Sequence, residues 1–261
     1  MPLVIKEGTS LEEISKYSEL MPSNKICPIF SVSSVTGTGM KELVYFLSKL
    51  NNRDQVNNLI GSPETPFEFD TNETFMVEGV GLVVSGIIKS GTARLNMPCL
   101  LGPDKGKGFR PVLIKSIHVN RTVRDEAFAG EYACFNLRPA KAGEKLTRAD
   151  FRKGMVLLDT TLKPEPVYEF EAEVQILHHA TTITPGYQSM LHCGSVRQSV
   201  NLKKIYNKDL LRNEDRDLVR FRFMYAPEYL KPGLTLLLRE GKTKVLGTIT
   251  KLYPENELSE E

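Results

Sequence analysis

The sequence predicts a mainly β protein in which two consecutive all-β units follow a short α/β segment. Three observations support this fold class. A short strand, a small-residue turn and a helix follow one another before residue 51. Beyond residue 66, β-rich runs alternate with Gly or Pro about every eight to twelve residues, the spacing of a closed barrel or a sandwich. Two proline-containing linkers, at 61–66 and 163–166, divide the chain.

The α/β segment is predicted from a change of periodicity. The apolar run CPIF at 27–30 can form a strand, and the small-residue stretch VSSVTG at 32–37 can form the turn that follows it. From Met40 onward apolar residues recur at helical spacing up to Leu50, and residues 51–54 end this helix. A second amphipathic stretch, Leu11–Leu20, is preceded by Thr9 and Ser10, which favours a capped helix.

The two linkers set the predicted domain bounds, because paired prolines suit neither a helix nor a central strand. The first all-β unit contains β-rich runs such as 75–77, 81–88, 112–119 and 131–137. The second contains runs at 168–177, 188–193, 195–202, 218–225, 234–239 and 245–252. We therefore predict domains at 1–60, 63–161 and 164–254, with an acidic tail at 255–261.

Composition limits the classes of function. With 41% hydrophobic and 25% charged residues, the chain resembles soluble globular proteins. No run reaches the roughly 18 apolar residues of a membrane span, and we expect a cytoplasmic protein without a membrane partner. The four cysteines are isolated, which favours buried free thiols over a zinc site or disulfides. The formal charge of +2 becomes +6 without the glutamates of the tail, a bias compatible with a phosphate-bearing partner.

Several motifs resemble translational GTPases of the elongation factor Tu superfamily. In the first β unit these are FMVEGVGLVVSG at 75–86, AGE at 129–131 and FRKGMVL at 151–157. In the second they are FEAEV at 170–174, PGYQ at 185–188 and REGKTKVLG at 239–247. The motifs occur in the family's order over nearly the whole chain. The resemblance implies two consecutive β-barrels, the translation-factor domain II and a domain III, preceded by a partial α/β P-loop GTPase domain.

Two further stretches resemble the eukaryotic GTP-binding protein 1 and 2 subfamily, ILHHATTI at 176–183 and LHCGSVRQ at 191–198. The resemblance also implies GTP and Mg²⁺ as cofactors of the complete protein. The turn at 32–37 is similar to the family's last guanine-recognition motif. This similarity implies that Ser33, Ser34 and Val35 form the guanine-contact turn, whose backbone must approach the base closely.

The resemblance implies an aminoacyl-tRNA partner for the barrels, and possibly the ribosome. In the family the first barrel holds the aminoacylated 3′ end. This places Glu73, Phe75 and Ser85 in the pocket for the terminal adenosine and amino acid. Tyr132 replaces an asparagine usual in the bacterial factor, and could stack or donate from its hydroxyl.

The second barrel of the family contacts the acceptor and T stems, which are bound mainly through phosphate and 2′-hydroxyl groups. The residues predicted for this stem surface are His178, His179, Thr181 and Arg197, with Lys242 and Lys244 as supporting phosphate contacts. Lys203, Lys204, Lys208 and Arg212 form a further basic cluster. Acidic residues follow them closely, and mixed runs of this kind are usually solvated loops.

The motifs for phosphoryl transfer are absent from this sequence. It has no Gly-x-x-x-x-Gly-Lys-Ser/Thr loop, no acidic magnesium ligand in that context and no Asn-Lys-x-Asp. We therefore expect no catalytic residues, no metal site, and neither tight GTP binding nor hydrolysis by this chain alone. The missing part of the GTP-binding domain is an expected partner, and DNA is not.

The sequence also fits an alternative function. The barrels could dock a ribosomal, exchange-factor or RNA-decay protein without binding tRNA. Tyr132 and the modest charge bias favour this alternative slightly. Salt dependence separates the two hypotheses, because phosphate contacts weaken steeply as salt rises.

Overall fold

The computed structural model describes residues 1–21, 25–50, 61–104, 106 and 108–254. The predicted helix end at 51–54 and the acidic tail lie outside these residues. The chain divides into two compact units, Met1–Gly61 and Ser62–Glu261. Among the described residues, the first unit has one hydrophobic core and the second has two, one in each barrel.

The first unit is a small α/β element. Strand β1 (Pro2–Ile5), helix α1 (Leu11–Leu20), strand β2 (Cys27–Phe30) and helix α2 (Met40–Lys49) follow in order, and the two strands pair in parallel. The side chain of Ser10 caps α1 by accepting a hydrogen bond from the amide of Glu13 at 3.3 Å, as the sequence predicts. Ile14 and Phe46 are buried between the helices and the strands.

The second unit begins with a closed six-stranded barrel. The strands of this region, in chain order, are β3 (Glu68–Val77), β4 (Gly81–Ser90), β5 (Thr92–Arg94), β6 (Pro98–Asp104), β7 (Gly108–Val119), β8 (Thr122–Arg124), β9 (Glu126–Phe128), β10 (Tyr132–Pro139) and β11 (Val156–Asp159). Strands β5, β8 and β9 lie outside the six-stranded barrel. The barrel order is β10-β4-β3-β11-β6-β7, closed by pairing of β7 with β10. Three aromatic rings, Phe67, Phe69 and Phe135, pack together in its core.

A second closed barrel follows, with strands β12 (Val167–His178), β13 (Gln188–Cys193), β14 (Val196–Ile205), β15 (Arg216–Phe223), β16 (Thr235–Glu240) and β17 (Thr243–Pro254). Its order is β12-β15-β14-β13-β16-β17, closed by pairing of β12 with β17. Alternate side chains on each strand fill the interior, including Phe170, Phe221 and Phe223. The predicted fold class, mainly β with two consecutive barrels, is confirmed.

Two details differ from the sequence predictions. Strand β3 begins at Glu68, well before the predicted run at 75–77. Its first half was missed because apolar and polar residues alternate there only briefly before a bulge between Thr71 and Glu73. The prediction of buried thiols holds for Cys99 and Cys193 but is wrong for Cys27, which is exposed at the start of β2.

Candidate functional site

The predicted guanine-contact turn, Ser33 to Val35, follows β2 as a compact loop. The backbone carbonyl of Ser33 accepts from Gly37 N at 2.9 Å, and the Ser33 hydroxyl accepts from Thr36 N at 3.2 Å. Gly39 adopts a φ of 68°, and a Cβ there would lie 2.3 Å from the carbonyl oxygen of Ser31. Only glycine therefore allows the loop to fold back against β2 before α2 begins.

The same loop leaves two amides available. Among the described residues, no group of this chain accepts a hydrogen bond from the backbone N–H of Ser34 or Val35. The Val35 side chain is 93% exposed. Adjacent free N–H groups in a turn can bind a carbonyl oxygen or an anion, so the turn fits a contact to the guanine base oxygen.

The four residues predicted for the 3′-end pocket lie together on the outer face of the first barrel, and we call them the β3–β4–β10 patch (Glu73, Phe75, Ser85 and Tyr132). Glu73 is the cross-strand partner of Ser85. Cross-strand partners share a face, with Cβ atoms about 5 Å apart. Phe75 follows two residues after Glu73 on the same face of β3 and is 45% exposed.

Ser85 and Tyr132 meet through their hydroxyl groups, whose oxygens are 3.1 Å apart. Ser85 is only 3% exposed, whereas Tyr132 is 46% exposed. The tyrosine therefore covers the serine and presents its own ring and hydroxyl to solvent. A ligand at this face would meet the ring and hydroxyl of Tyr132 before it met Ser85.

Close backbone packing fixes this patch. A Cβ at Gly86 would lie 1.9 Å from the carbonyl oxygen of Asp70, so β3 and β4 can approach at this point only because residue 86 is glycine. The β3 bulge adjoins the same place and sets Glu73, rather than Asn72, opposite Ser85. Sequence and register together therefore determine which side chains share the outer face.

The AGE turn positions Tyr132 at the start of β10. Gly130 has a φ of 91°, and its amide donates to the carbonyl of Ile88 at 2.9 Å. Glu131 accepts from the amide of Phe128 at 2.8 Å and forms an ion pair with Arg124 at 2.9 Å. These contacts tie the turn to β4 and β8, which explains why an acidic residue follows the glycine.

Sequence reasoning missed Asn136, which supports the hairpin that carries Phe75. Asn136 is 2% exposed, and its Nδ2 atom donates to the carbonyls of Val80 and Leu82, both at 3.1 Å. An amide side chain within the apolar run of β10 was the available signal. Buried polar side chains are nearly always hydrogen-bonded, so an amide in such a run indicates a partner nearby.

At the end of the second barrel, five predicted residues form a histidine–lysine cluster (His178, His179, Thr181, Lys242 and Lys244). The His179 ring is hydrogen-bonded to Thr243 Oγ1 through Nδ1 at 2.8 Å, and its Nε2 lies 3.4 Å from the Thr181 hydroxyl. The edge of this ring also contacts Tyr187, with centroids 5.3 Å apart. His179 is thus half-buried and held in one orientation.

The strand that bonds this ring also carries exposed basic residues. Lys242 and Lys244 flank the buried Thr243 and point outward, and His178 pairs with Lys244 across β12 and β17. Arg197 does not join them. It lies on β14 opposite His192, and β13 and β16 separate β14 from β17. The predicted stem surface therefore consists of one compact cluster and one separate arginine.

The two barrels contact one another through a buried network that the sequence did not identify. Arg152 forms an ion pair with Glu228 at 2.7 Å, and Gln198 donates to the same carboxylate oxygen at 2.5 Å. Arg152 also donates to the carbonyls of Pro103 and Pro227. Burial raises the pKa of Glu228, although Arg152 and Gln198 oppose the shift. Near this network, Lys231 pairs with Glu68 at 2.5 Å.

In the described part of the chain, no helix has the length and apolar character needed to cross a membrane. The same residues contain no group of three or more His, Cys, Asp or Glu side chains arranged to hold a metal ion. The features that the structure does bring together are polar and cationic surfaces on the two barrels.

Comparisons with known proteins agree with this architecture. The chain is 44% identical to GTP-binding protein 1 of Xenopus laevis over 230 residues, 88% of this chain and 33% of that protein. It is 36% identical to GTP-binding protein 2 of Mus musculus over 251 residues, 95% of this chain and 40% of that protein. It is also 29% identical to the selenocysteine-specific elongation factor of Haemophilus influenzae over 218 residues, 83% of this chain and 31% of that protein.

No family model matches the chain. The chain spans between a third and two fifths of the length of the first two relatives. The similarity nevertheless covers both barrels and most of the sequence. The chain therefore belongs to the elongation factor Tu superfamily of translational GTPases.

Proposed function

We propose that this chain is the tRNA-engaging part of a GTP-dependent translation factor, in which the barrels bind aminoacyl-tRNA and respond to the state of the nucleotide. One observation carries the proposal. Glu73, Phe75 and Ser85 of the β3–β4 hairpin and Tyr132, 47 residues after Ser85, lie on one outer face of the first barrel. Similarity to relatives named as elongation factors supports a role in translation.

The chemistry of the patch fits the end of an aminoacylated RNA. The exposed ring of Phe75 offers a surface on which an unstacked base can pack. The exposed carboxylate of Glu73 can accept a hydrogen bond from a ribose hydroxyl or from the amino group of the attached amino acid. The Tyr132 hydroxyl, already bonded to Ser85, can contact a second polar group.

The second barrel supplies phosphate contacts in this proposal. Lys242, Lys244 and His178 present donors on one surface, and His179 and Thr181 stabilise its shape. Arg197 would meet a different phosphate, because two strands separate it from β17. A double-stranded stem offers phosphates at several positions, so two separate contacts are compatible with one stem.

GTP enters the proposal only for the complete protein. The free amides of Ser34 and Val35 fit the guanine base. The chain contains no Gly-x-x-x-x-Gly-Lys-Ser/Thr segment for the phosphates. Bound GTP and Mg²⁺ would supply the charge that drives a conformational change, while the residues of this chain would contact the base and the RNA.

A second candidate function, docking of a protein partner, is favoured by a different observation. The hairpin between β3 and β4 exposes four apolar side chains close together, Phe75, Met76, Val77 and Val80, each between 41% and 46% exposed. Contiguous exposed apolar residues often mark protein interfaces. A salt-insensitive interaction at this hairpin would support this candidate over RNA binding.

Substitutions in the patch test the proposal. Phe75→Ala should weaken binding to aminoacyl-tRNA by about 5-fold to 150-fold, because base stacking on an aromatic ring contributes about 1–3 kcal/mol. Val123→Ala is the matched control, since Val123 is 67% exposed on β8 of the same barrel and outside the patch. Equal affinities of wild type, Phe75→Ala and Val123→Ala would contradict a 3′-end contact at this face.

A further inference from the structure

A third surface lies on the outside of the second barrel, across strands β14, β15, β12 and β17. We call it the β12–β15 face. It is defined by Lys203, Lys204, Arg220, Arg222, Lys251, Tyr206, Tyr253, Glu169 and Glu171. The register places Lys204, Arg220, Glu171 and Lys251 side by side in one row across the four strands. The neighbouring row contains Arg222, Glu169 and Tyr253.

The carboxylates of this face are turned away from solvent and are neutralised. Glu169 is 5% exposed and forms ion pairs with Arg220 at 2.7 Å and Arg222 at 3.0 Å. Glu171 is 8% exposed and accepts hydrogen bonds from the hydroxyls of Tyr253, at 2.6 Å, and Tyr206. Burial disfavours the charge on Glu171, but these hydroxyls and nearby cations outweigh burial and lower its pKa.

The three lysines of the face, in contrast, are exposed, whereas the side chain of Arg220 is largely covered. A bulge between Leu202 and Lys204 exposes both Lys203 and Lys204 on the outside of β14. Lys204 lies over the ring of Tyr206 at 4.9 Å, and Lys251 over the ring of Tyr253 at 4.6 Å. Cation–π contacts of this kind orient an ammonium group without neutralising it.

The face therefore presents a positive surface. It contains five basic side chains and two carboxylates, and both carboxylates are buried. Glu173 on the next row of β12 is exposed, and Arg216 lies one row further along β15. The sequence had grouped Lys203 and Lys204 with Lys208, but Lys208 instead pairs with Asp215 at 2.5 Å in a separate loop.

We propose that the β12–β15 face binds the phosphate backbone of a double-stranded nucleic acid. Four adjacent strands about 4.8 Å apart spread the cations over roughly 15 Å, which is wide enough for several phosphates. The tyrosine hydroxyls are bonded to Glu171 and the rings are covered by cations, so the face offers charge rather than stacking surfaces. Single strands are bound chiefly by stacking, and this arrangement favours a duplex instead.

This surface is distinct from those already assigned. The histidine–lysine cluster lies where β12 ends and β17 begins, and Arg197 lies on β14 beyond the row of Asn201. The β3–β4–β10 patch belongs to the other barrel. Binding at the β12–β15 face requires no aminoacyl group and no free 3′ end, and so does not depend on the function proposed above.

The test uses the full chain and two blunt duplexes of the same sequence, one RNA and one DNA, of about two helical turns, with fluorescence anisotropy as the readout. The test variant is Lys203→Gln, Lys204→Gln and Lys251→Gln combined. Each lysine is exposed and none forms an ion pair among the described residues, so folding should persist and is checked by thermal melting. The control combines Lys141→Gln, Lys145→Gln and Lys153→Gln, which removes three exposed lysines from the first barrel.

For at least one duplex, the test variant should lose tenfold or more in affinity at low salt. Its log-log salt dependence should be shallower by about 0.9 for each phosphate contact removed, a slope known from duplex DNA. The control should change by less than twofold. The DNA and RNA arms show which duplex is bound. The proposal would be overturned if the affinity of the test variant stayed within twofold of wild type on both duplexes. It would also be overturned if polyglutamate competed as well as the duplex, because the face would then bind an acidic protein instead.

Discussion

The contact between Arg152 and Glu228 provides a quantitative test of how the two barrels are held together. Glu228 is 1% exposed, and Arg152 supplies its cation at 2.7 Å as well as donors for the carbonyls of Pro103 and Pro227. Arg152→Leu removes all of these contacts and leaves a buried carboxylate with Gln198 as its remaining donor. Breaking a buried ion pair in this way costs about 3–5 kcal/mol of unfolding free energy.

The loss should depend on pH in a defined direction. Burial already raises the pKa of Glu228 in the native protein, and removal of Arg152 should raise it further. A raised carboxyl pKa contributes stability that is complete below the unfolded pKa near 4.5 and is lost as pH rises through the folded pKa. The deficit of Arg152→Leu should therefore be larger at pH 8 than at pH 5.

Urea unfolding followed by far-UV circular dichroism is the appropriate assay, because the chain contains no tryptophan. The control is Glu228→Gln in the Arg152→Leu background, which removes the buried charge and should recover part of the loss. Residues that share a network are coupled by about 0.5–3 kcal/mol. A loss under about 1 kcal/mol that does not vary with pH, together with additive single and double variants, would refute a structural role for this pair.

The close packing at Gly86, the burial of Asp70 and the lack of a Gly-x-x-x-x-Gly-Lys-Ser/Thr segment each lead to a further prediction. Gly86→Ala should destabilise the first barrel by about 1–3 kcal/mol or more, because the new methyl group would overlap the carbonyl of Asp70. Thermal melting measures this loss, and Gly106→Ala is the control because a Cβ at Gly106 meets no atom within 4 Å. Asp70→Asn should stabilise the protein at pH 7 and less so near pH 4, because burial raises the pKa of Asp70 from 3.8 and makes its charge at pH 7 unfavourable. Melting temperatures of wild type and variant that differ by the same amount at every pH would contradict this. The chain alone should hydrolyse no GTP, and phosphate release above the rate without enzyme would disprove that expectation.

The fold class and the superfamily were predictable because their signals are local and redundant. A serine directly before an amphipathic run, such as Ser10 before Leu11–Leu20, is a local signal for the start of a helix. The glycine-containing motifs of each barrel also follow one another in the family's order. Strands β5, β8 and β9 have only three residues each. Alternation cannot identify a strand of that length, since it contains at most two residues on one face.

The candidate sites were only partly predictable, because cross-strand neighbours depend on register. Motif positions grouped Glu73 with Ser85, and the bulge in β3 explains why the two are cross-strand partners. Spacing could not show that Arg197 lies two strands away from β17. Nor could it show that Glu228 reaches Arg152, because such partners lie far apart in sequence and meet only when both barrels have closed.

The central claim is that the barrels recognise aminoacyl-tRNA. The most direct test measures the affinity of this chain for the aminoacylated and deacylated forms of one tRNA, each at about 50 mM and about 200 mM salt. We predict binding that weakens steeply with salt and a preference for the aminoacylated form of about tenfold, equivalent to one hydrogen bond to a charged group. Binding that is insensitive to salt, or equal for the two forms at low salt, would contradict the claim.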